Sequence, residues 1–110
     1  MVKTITEYAV RVKGTQMYLP RSQRRDERGG SHLEPIDFSL PVAERKCQDR
    51  YKRDMQIRSY ATKQGAQNLL NSWLIGKFYS DSDGDCWVKP QPERIRENME
   101  IVEITIVLPS

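Results

Sequence analysis

Apolar residues return at Ala66, Leu69, Leu70, Trp73 and Leu74, at i, i+3, i+4, i+7 and i+8, and so share one stripe of an α-helix. Thr62 stands where a side chain can cap the first turn, and Gly76 where a left-handed residue can close the last. The spacing therefore predicts a helix over 62–75. A single amphipathic helix has no way to bury its own stripe and needs a sheet to lie on. Elsewhere the period is two. Tyr8, Val10 and Val12 alternate with Ala9, Arg11 and Lys13, and after Gly14 and Thr15 the run Gln16 to Leu19 reads as the second arm of a tight hairpin. Pro20, with no N–H to donate, is expected to end that pairing. Met55, Ile57 and Ser59 alternate with Gln56, Arg58 and Tyr60, which predicts a strand near 55–60 leading into the Thr62 cap. Met99 to Leu108 is the strongest strand signal: Val102, Ile104, Ile106 and Leu108 make one face, and Ile101, Thr105 and Val107 add apolar surface to the other. A strand apolar on both faces is expected either to sit centrally or to have a partner over its second face, so a homodimer through this strand is one expectation. The fold class is α+β, a small antiparallel sheet packed by one main amphipathic helix. It forms a single domain over residues 1–110.

Other stretches carry weaker patterns. Residues 21–35, RSQRRDERGGSHLEP, have no period and almost nothing to bury, which predicts a mobile Arg/Gly-rich loop. Ile36 and Phe38 are expected to return to the core. Between Ser39 and Arg53 a helix is one reading, with Ala43, Cys47 and Tyr51 on a narrow stripe and charge on every other side. After Gly76 come Lys77-Phe78-Tyr79, a turn-rich Ser80 to Asp85, and Cys86-Trp87-Val88. Pro90 and Pro92 then make a stiff connection, and Glu93 to Asn98 suits a short helical turn.

Charge changes the picture more than composition does. The net charge of +3 hides a split, since residues 11–63 carry thirteen Lys or Arg against seven Asp or Glu, and residues 64–110 carry four against seven. Such a chain presents a basic side and an acidic side. It does not suit a protein that imitates DNA, which has to be acidic throughout. The absence of a secretory leader pattern and of a long apolar run places the expected location in a cytoplasm. Cys47 and Cys86 have no metal-type spacing and read as free thiols.

Candidate chemistry is sparse. Asp81, Asp83 and Asp85 have the one-three-five spacing of a calcium loop, but Cys86 stands where that loop needs Gly and Pro92 where it needs a bidentate Glu. The plainer reading is an acidic turn that uses Asp and Gly for their geometry. His32, the single histidine, has Ser31 beside it and Glu34 two residues on, yet neighbours in a glycine loop do not make a triad by proximity in sequence. No catalytic residue, cofactor or metal ligand is assigned, and the expected class is not an enzyme. Two basic clusters remain. Arg21, Arg24, Arg25 and Arg28 form the first, and Arg45, Lys46, Arg50, Lys52 and Arg53, with Tyr51 among them, form the second. Arginine interleaved with an aromatic suits phosphate and a stacked base, and equally suits carboxylates on an acidic protein surface. A solvated surface is the commonest reason for a charge run and stands beside both. Trp87, between an acidic turn and two prolines, has no periodic partner and reads as a lid over the core or an exposed interface anchor.

The order of YAVRVKG, MYLPR, RRDERGGSHLEPIDF, IRSYATKQGAQNLLNSWLIGK and a terminal strand resembles small accessory proteins of tailed bacteriophages and prophages of enteric bacteria. The similarity covers residues 8–38 and 57–77, with 39–56 as an insertion. That resemblance implies a context, the binding of a host factor in the host cytoplasm, and carries over no catalytic or binding residue. The resulting expectation is a non-enzymatic protein that inhibits a host defence or nucleic-acid-processing protein. Its contacts would come from Arg21, Arg24, Arg25, Arg28, Arg45, Lys46, Arg50, Tyr51, Arg53 and Trp87. A small nucleic-acid-binding module using the same arginines is the alternative, and a nuclease-like enzyme using His32 the second alternative.

Overall fold

The computed structural model describes residues 3–21, 30–40 and 56–108. In chain order the elements are β1 (Lys3–Val12), β2 (Met17–Tyr18), β3 (Ile36–Asp37), β4 (Ser59–Tyr60), α1 (Lys63–Ile75), β5 (Lys77–Ser80), β6 (Cys86–Lys89) and β7 (Met99–Leu108), with a 3-10 turn at Arg96–Asn98 just before β7. The predicted α+β class is what the chain adopts. The helix reading of Ser39 to Arg53 falls almost wholly outside the described residues.

β1 is the spine of the sheet. One edge pairs antiparallel with β7 along its whole length, from Lys3↔Leu108 to Val12↔Met99. The other edge is shared by β2, at Arg11↔Tyr18, and β4, at Tyr8↔Tyr60 and Ala9↔Ser59, and β3 lies beyond β2. Among the described strands β7 is therefore an edge strand with β1 as its neighbour, so of the two alternatives expected for it the central position belongs to β1. Pro20 also departs from expectation, because pairing changes partner there instead of stopping. Pro20 bridges Ile57, with Arg58 N donating to Leu19 O at 3.1 Å and Arg21 N to Gln56 O at 2.8 Å. The residues on either side supply the donor and acceptor, so the missing proline N–H costs nothing.

α1 lies on the sheet face that carries Val10, Met99 and, half-buried, Tyr8, Val12 and Ile101. Its stripe of Ala66, Leu69, Leu70 and Trp73 is buried there as the spacing requires, and Leu19 and Leu33 complete the core. Thr62 caps the helix as predicted, its Oγ1 accepting from Gly65 N at 3.1 Å. No helix among the described residues is long and apolar enough to cross a membrane.

The far end of α1 is closed differently from expectation. Gly76 has φ 129° and ψ −154°, not the left-handed helical pair. The helix's last carbonyls are met by Arg94, whose side chain is buried although its position in PERIREN looks like surface. Its Nη1 donates to Trp73 O and Ser31 O, both at 2.8 Å, and reaches Gly76 O at 3.4 Å. Its Nη2 donates to Leu33 O at 3.2 Å and to Glu34 Oε1 at 2.8 Å. The guanidinium lies over the Trp73 ring, 4.6 Å from the centroid, and Trp73 Nε1 donates to Leu33 O at 2.8 Å. A cation at a helix C-terminus is favoured by the macrodipole, and a planar fork can serve several carbonyls at once.

Residues 30–34 are thereby built into the core, in contrast to the expected loop with little to bury. Gly30, Ser31 and Leu33 are buried, and Ser31 N donates to Gly76 O at 2.8 Å. The contact needs two glycines. A Cβ at Gly30, where φ is 111°, would run into Gly76 O, and one at Gly76 would run into Lys89 O.

At the β1–β2 turn, Glu100 Oε2 accepts from Arg11 Nε at 2.8 Å and from Gly14 N at 3.2 Å. The Arg11 hydrogen bond, then the Gly14 amide, hold the Glu100 carboxyl below its ordinary range.

Two outcomes follow from these contacts. Arg94→Met strands buried carbonyls and is expected to lower stability by about 3 kcal/mol or more in urea unfolding. Glu34→Gln, at a partly exposed partner, costs less than about 1 kcal/mol, so equal losses would refute a clamp made chiefly by carbonyls. For Glu100, the folded-state pKa is depressed, so its contribution is present above the unfolded pKa and is lost as pH falls through the folded one. Wild type should lose stability with acid more steeply than Glu100→Gln, and parallel pH profiles would contradict this.

Candidate functional site

β5 follows α1 with only Gly76 between them, and pairs with β6 in a separate two-stranded sheet: Lys77↔Lys89, Phe78↔Val88, Tyr79↔Trp87 and Ser80↔Cys86. The base of this hairpin is fixed by the Gly76–Lys89 approach and by the Arg94 network. Its turn is made by the acidic run. Asp81 Oδ1 accepts from Asp83 N and Asp85 N, both at 3.0 Å, while Asp81 N donates to Asp85 O at 3.0 Å and Gly84 takes φ 86°. The Asp81 carboxylate is thus used as a turn former, the plainer of the two readings of DSDGD. Among the described residues no three His, Cys, Asp or Glu side chains come together as a metal-binding group.

The hairpin presents aromatic surface. Tyr79 and Trp87 stack across the strands with centroids 5.8 Å apart and planes 18° from parallel, and Trp87 is 48% exposed. The His32 ring meets Tyr79 edge-on at 5.0 Å, and its Nε2 donates to Phe78 O, so the hairpin is also joined to the 30–34 segment from outside. Phe78, on the opposite face from Tyr79, is 41% exposed. Ser31, next to His32 in sequence, is fully buried with its Oγ accepting from Leu33 N at 3.1 Å. The two side chains are engaged in separate structural contacts.

Of the predicted contact residues, Trp87 is exposed on the hairpin and does not form a lid over the core. Arg21 is exposed at the end of the Pro20 bridge, its Nη1 donating to Gln56 Oε1 at 3.0 Å. Arg24, Arg25, Arg28, Arg45, Lys46, Arg50, Tyr51 and Arg53 lie outside the described residues. Sequence reading missed Tyr79 and His32 as companions of Trp87, and it missed the hairpin itself. The available signal was Asp-Gly inside a turn-rich run between two short aromatic segments.

A cleft of about 230 Å³ lies beside Arg94, lined by Val12, Pro35, Trp73, Ile95 and Met99 with Glu34, Glu93 and Asn98. That volume is below the roughly 300 Å³ at which small-molecule pockets usually begin, so the exposed hairpin is the stronger candidate site. Comparison with protein-family models, with curated proteins and with solved structures finds no match.

Proposed function

We propose that this chain is a non-enzymatic accessory protein of a tailed bacteriophage that binds and inhibits a host defence or nucleic-acid-processing protein by occupying its surface in the host cytoplasm. The observation that best supports binding is Trp87, a large aromatic side chain half in solvent on a hairpin whose base is locked to the core. Anchors of this kind dominate protein interfaces because little side-chain entropy remains to be lost on contact. In this reading the arginines in the sequence runs 21–28 and 45–53 pair with carboxylates of the partner through their planar guanidinium groups.

The test uses the full chain as bait against a lysate of an enteric host, with mass spectrometry of what is retained and an activity assay on the protein identified. Wild type is expected to hold one discrete host protein. Trp87→Ala, and separately the triple change of Arg24, Arg25 and Arg28 to Ala, should weaken that binding by about tenfold or more with little change in melting temperature. Full retention by both variants would refute this surface. A mobility shift of DNA or RNA at tens of micromolar protein and low salt, with no host protein retained, would favour the nucleic-acid-binding alternative instead.

A further inference from the structure

The hairpin is polarised along its length. At its base Lys77 stands opposite Lys89, and Lys77 Nζ lies 3.6 Å from Glu34 Oε1. At its tip Asp81, Asp83 and Asp85 fall within five residues, and no Lys or Arg intervenes between Ser80 and Val88. Asp81 is committed to the turn. Asp83 and Asp85 are exposed, and among the described residues no cation lies within ion-pair distance of either carboxylate.

Asp85 directly precedes β6, two residues before Trp87, and its carbonyl accepts from Asp81 N across the hairpin, so the strand alternation carried one step further puts it on the Trp87 side, roughly 6.6 Å along the chain. The same face carries Tyr79. An accessible indole with a carboxylate one step away matches a guanidinium, which stacks on the ring and donates to the acid. Phosphate meets the opposite balance here, because the carboxylates at the tip repel it. Cross-strand stacking stabilises the hairpin, yet it leaves Trp87 48% exposed beside the acids.

We propose that the hairpin tip docks in an arginine-bearing groove of the partner protein, the kind of surface that otherwise holds nucleic acid, with a guanidinium stacked on Trp87 and paired with Asp85 or Asp83. The inference rests on the binding function above and identifies the region of the partner that this site recognises.

The experiment titrates the full chain with nona-arginine, nona-glutamate and a 20-nucleotide single-stranded DNA, following the Trp87 indole N–H and the hairpin amides by NMR. Nona-arginine is expected to move these signals saturably, and nona-glutamate and DNA are not. Trp87→Leu, followed by the amides, and Asp83→Asn with Asp85→Asn should each weaken nona-arginine binding by about tenfold, as expected for losing one stacked, charge-paired cation. Unperturbed hairpin signals, equal binding by the Asn variant, or movement of the indole by DNA would each overturn the proposal. If a host protein is retained equally by wild type and the Asn variant, the binding function stands and this docking mode falls. If nona-arginine binds as expected and no host protein is retained, the surface stands and the binding function falls.

Discussion

One guanidinium organises the described part of this protein. Arg94 sits where the end of α1, the 31–34 segment and the approach to β7 converge, and it donates to carbonyls of two of them while covering the Trp73 ring. Burying a charge costs several kcal/mol unless its surroundings replace water, and here the helix-end carbonyls, the indole face and Glu34 do so for the two terminal nitrogens, while the buried Nε has no hydrogen-bond partner. A lysine carries the same charge without the planar fork and cannot reach carbonyls on both segments at once. The stripe of α1 accounts for its seating on the sheet, and Arg94 accounts for where its last turn is held.

That joint fixes the position of the site. Since Gly76 alone separates α1 from β5, the hairpin cannot swing on a linker, and the close approach of Gly76 to Lys89 ties its second strand as well. His32 adds a contact from the segment that Arg94 also holds. Trp87 is therefore held in a set orientation, which under the proposed binding function would reduce the ordering cost of contact. The acidic turn of Asp81, Asp83 and Asp85 stands on the same element.

Much of the fold was legible because burial imposes a period. The α1 stripe, the Thr62 cap, the hairpin of β1 and β2 and the extent of β7 all showed in their spacing, although in β7 it is Met99 and Ile101 that pack with the core, while Val102, Ile104, Ile106 and Leu108 are only half-buried. The β5–β6 hairpin was legible only through the Asp-Gly of its turn, since neither of its faces is in the core and its side chains alternate without an apolar rule. Arg94 was hidden for a related reason: a buried arginine and a surface arginine look alike in sequence, and this one follows two prolines in a charged run. Gly30 and Gly76 were visible as glycines, but the backbone contact that requires them joins positions far apart in the chain. For the site, Trp87 stood out because no period explained it, whereas Tyr79 and His32 become its neighbours only through strand pairing and the return of the 30–34 segment.

Native-state hydrogen exchange of wild type and Arg94→Met tests most directly whether this clamp anchors the hairpin to the core. In wild type the Ser31 amide, which donates to Gly76 O, and the cross-strand amides of β5 and β6 should open only with free energies close to that of global unfolding. In the variant those amides should exchange through a low-energy opening while the β1–β7 amides keep their protection relative to global stability. A wild-type Ser31 amide that exchanges like an exposed loop, or a variant hairpin that stays as protected as β1–β7, would contradict the account.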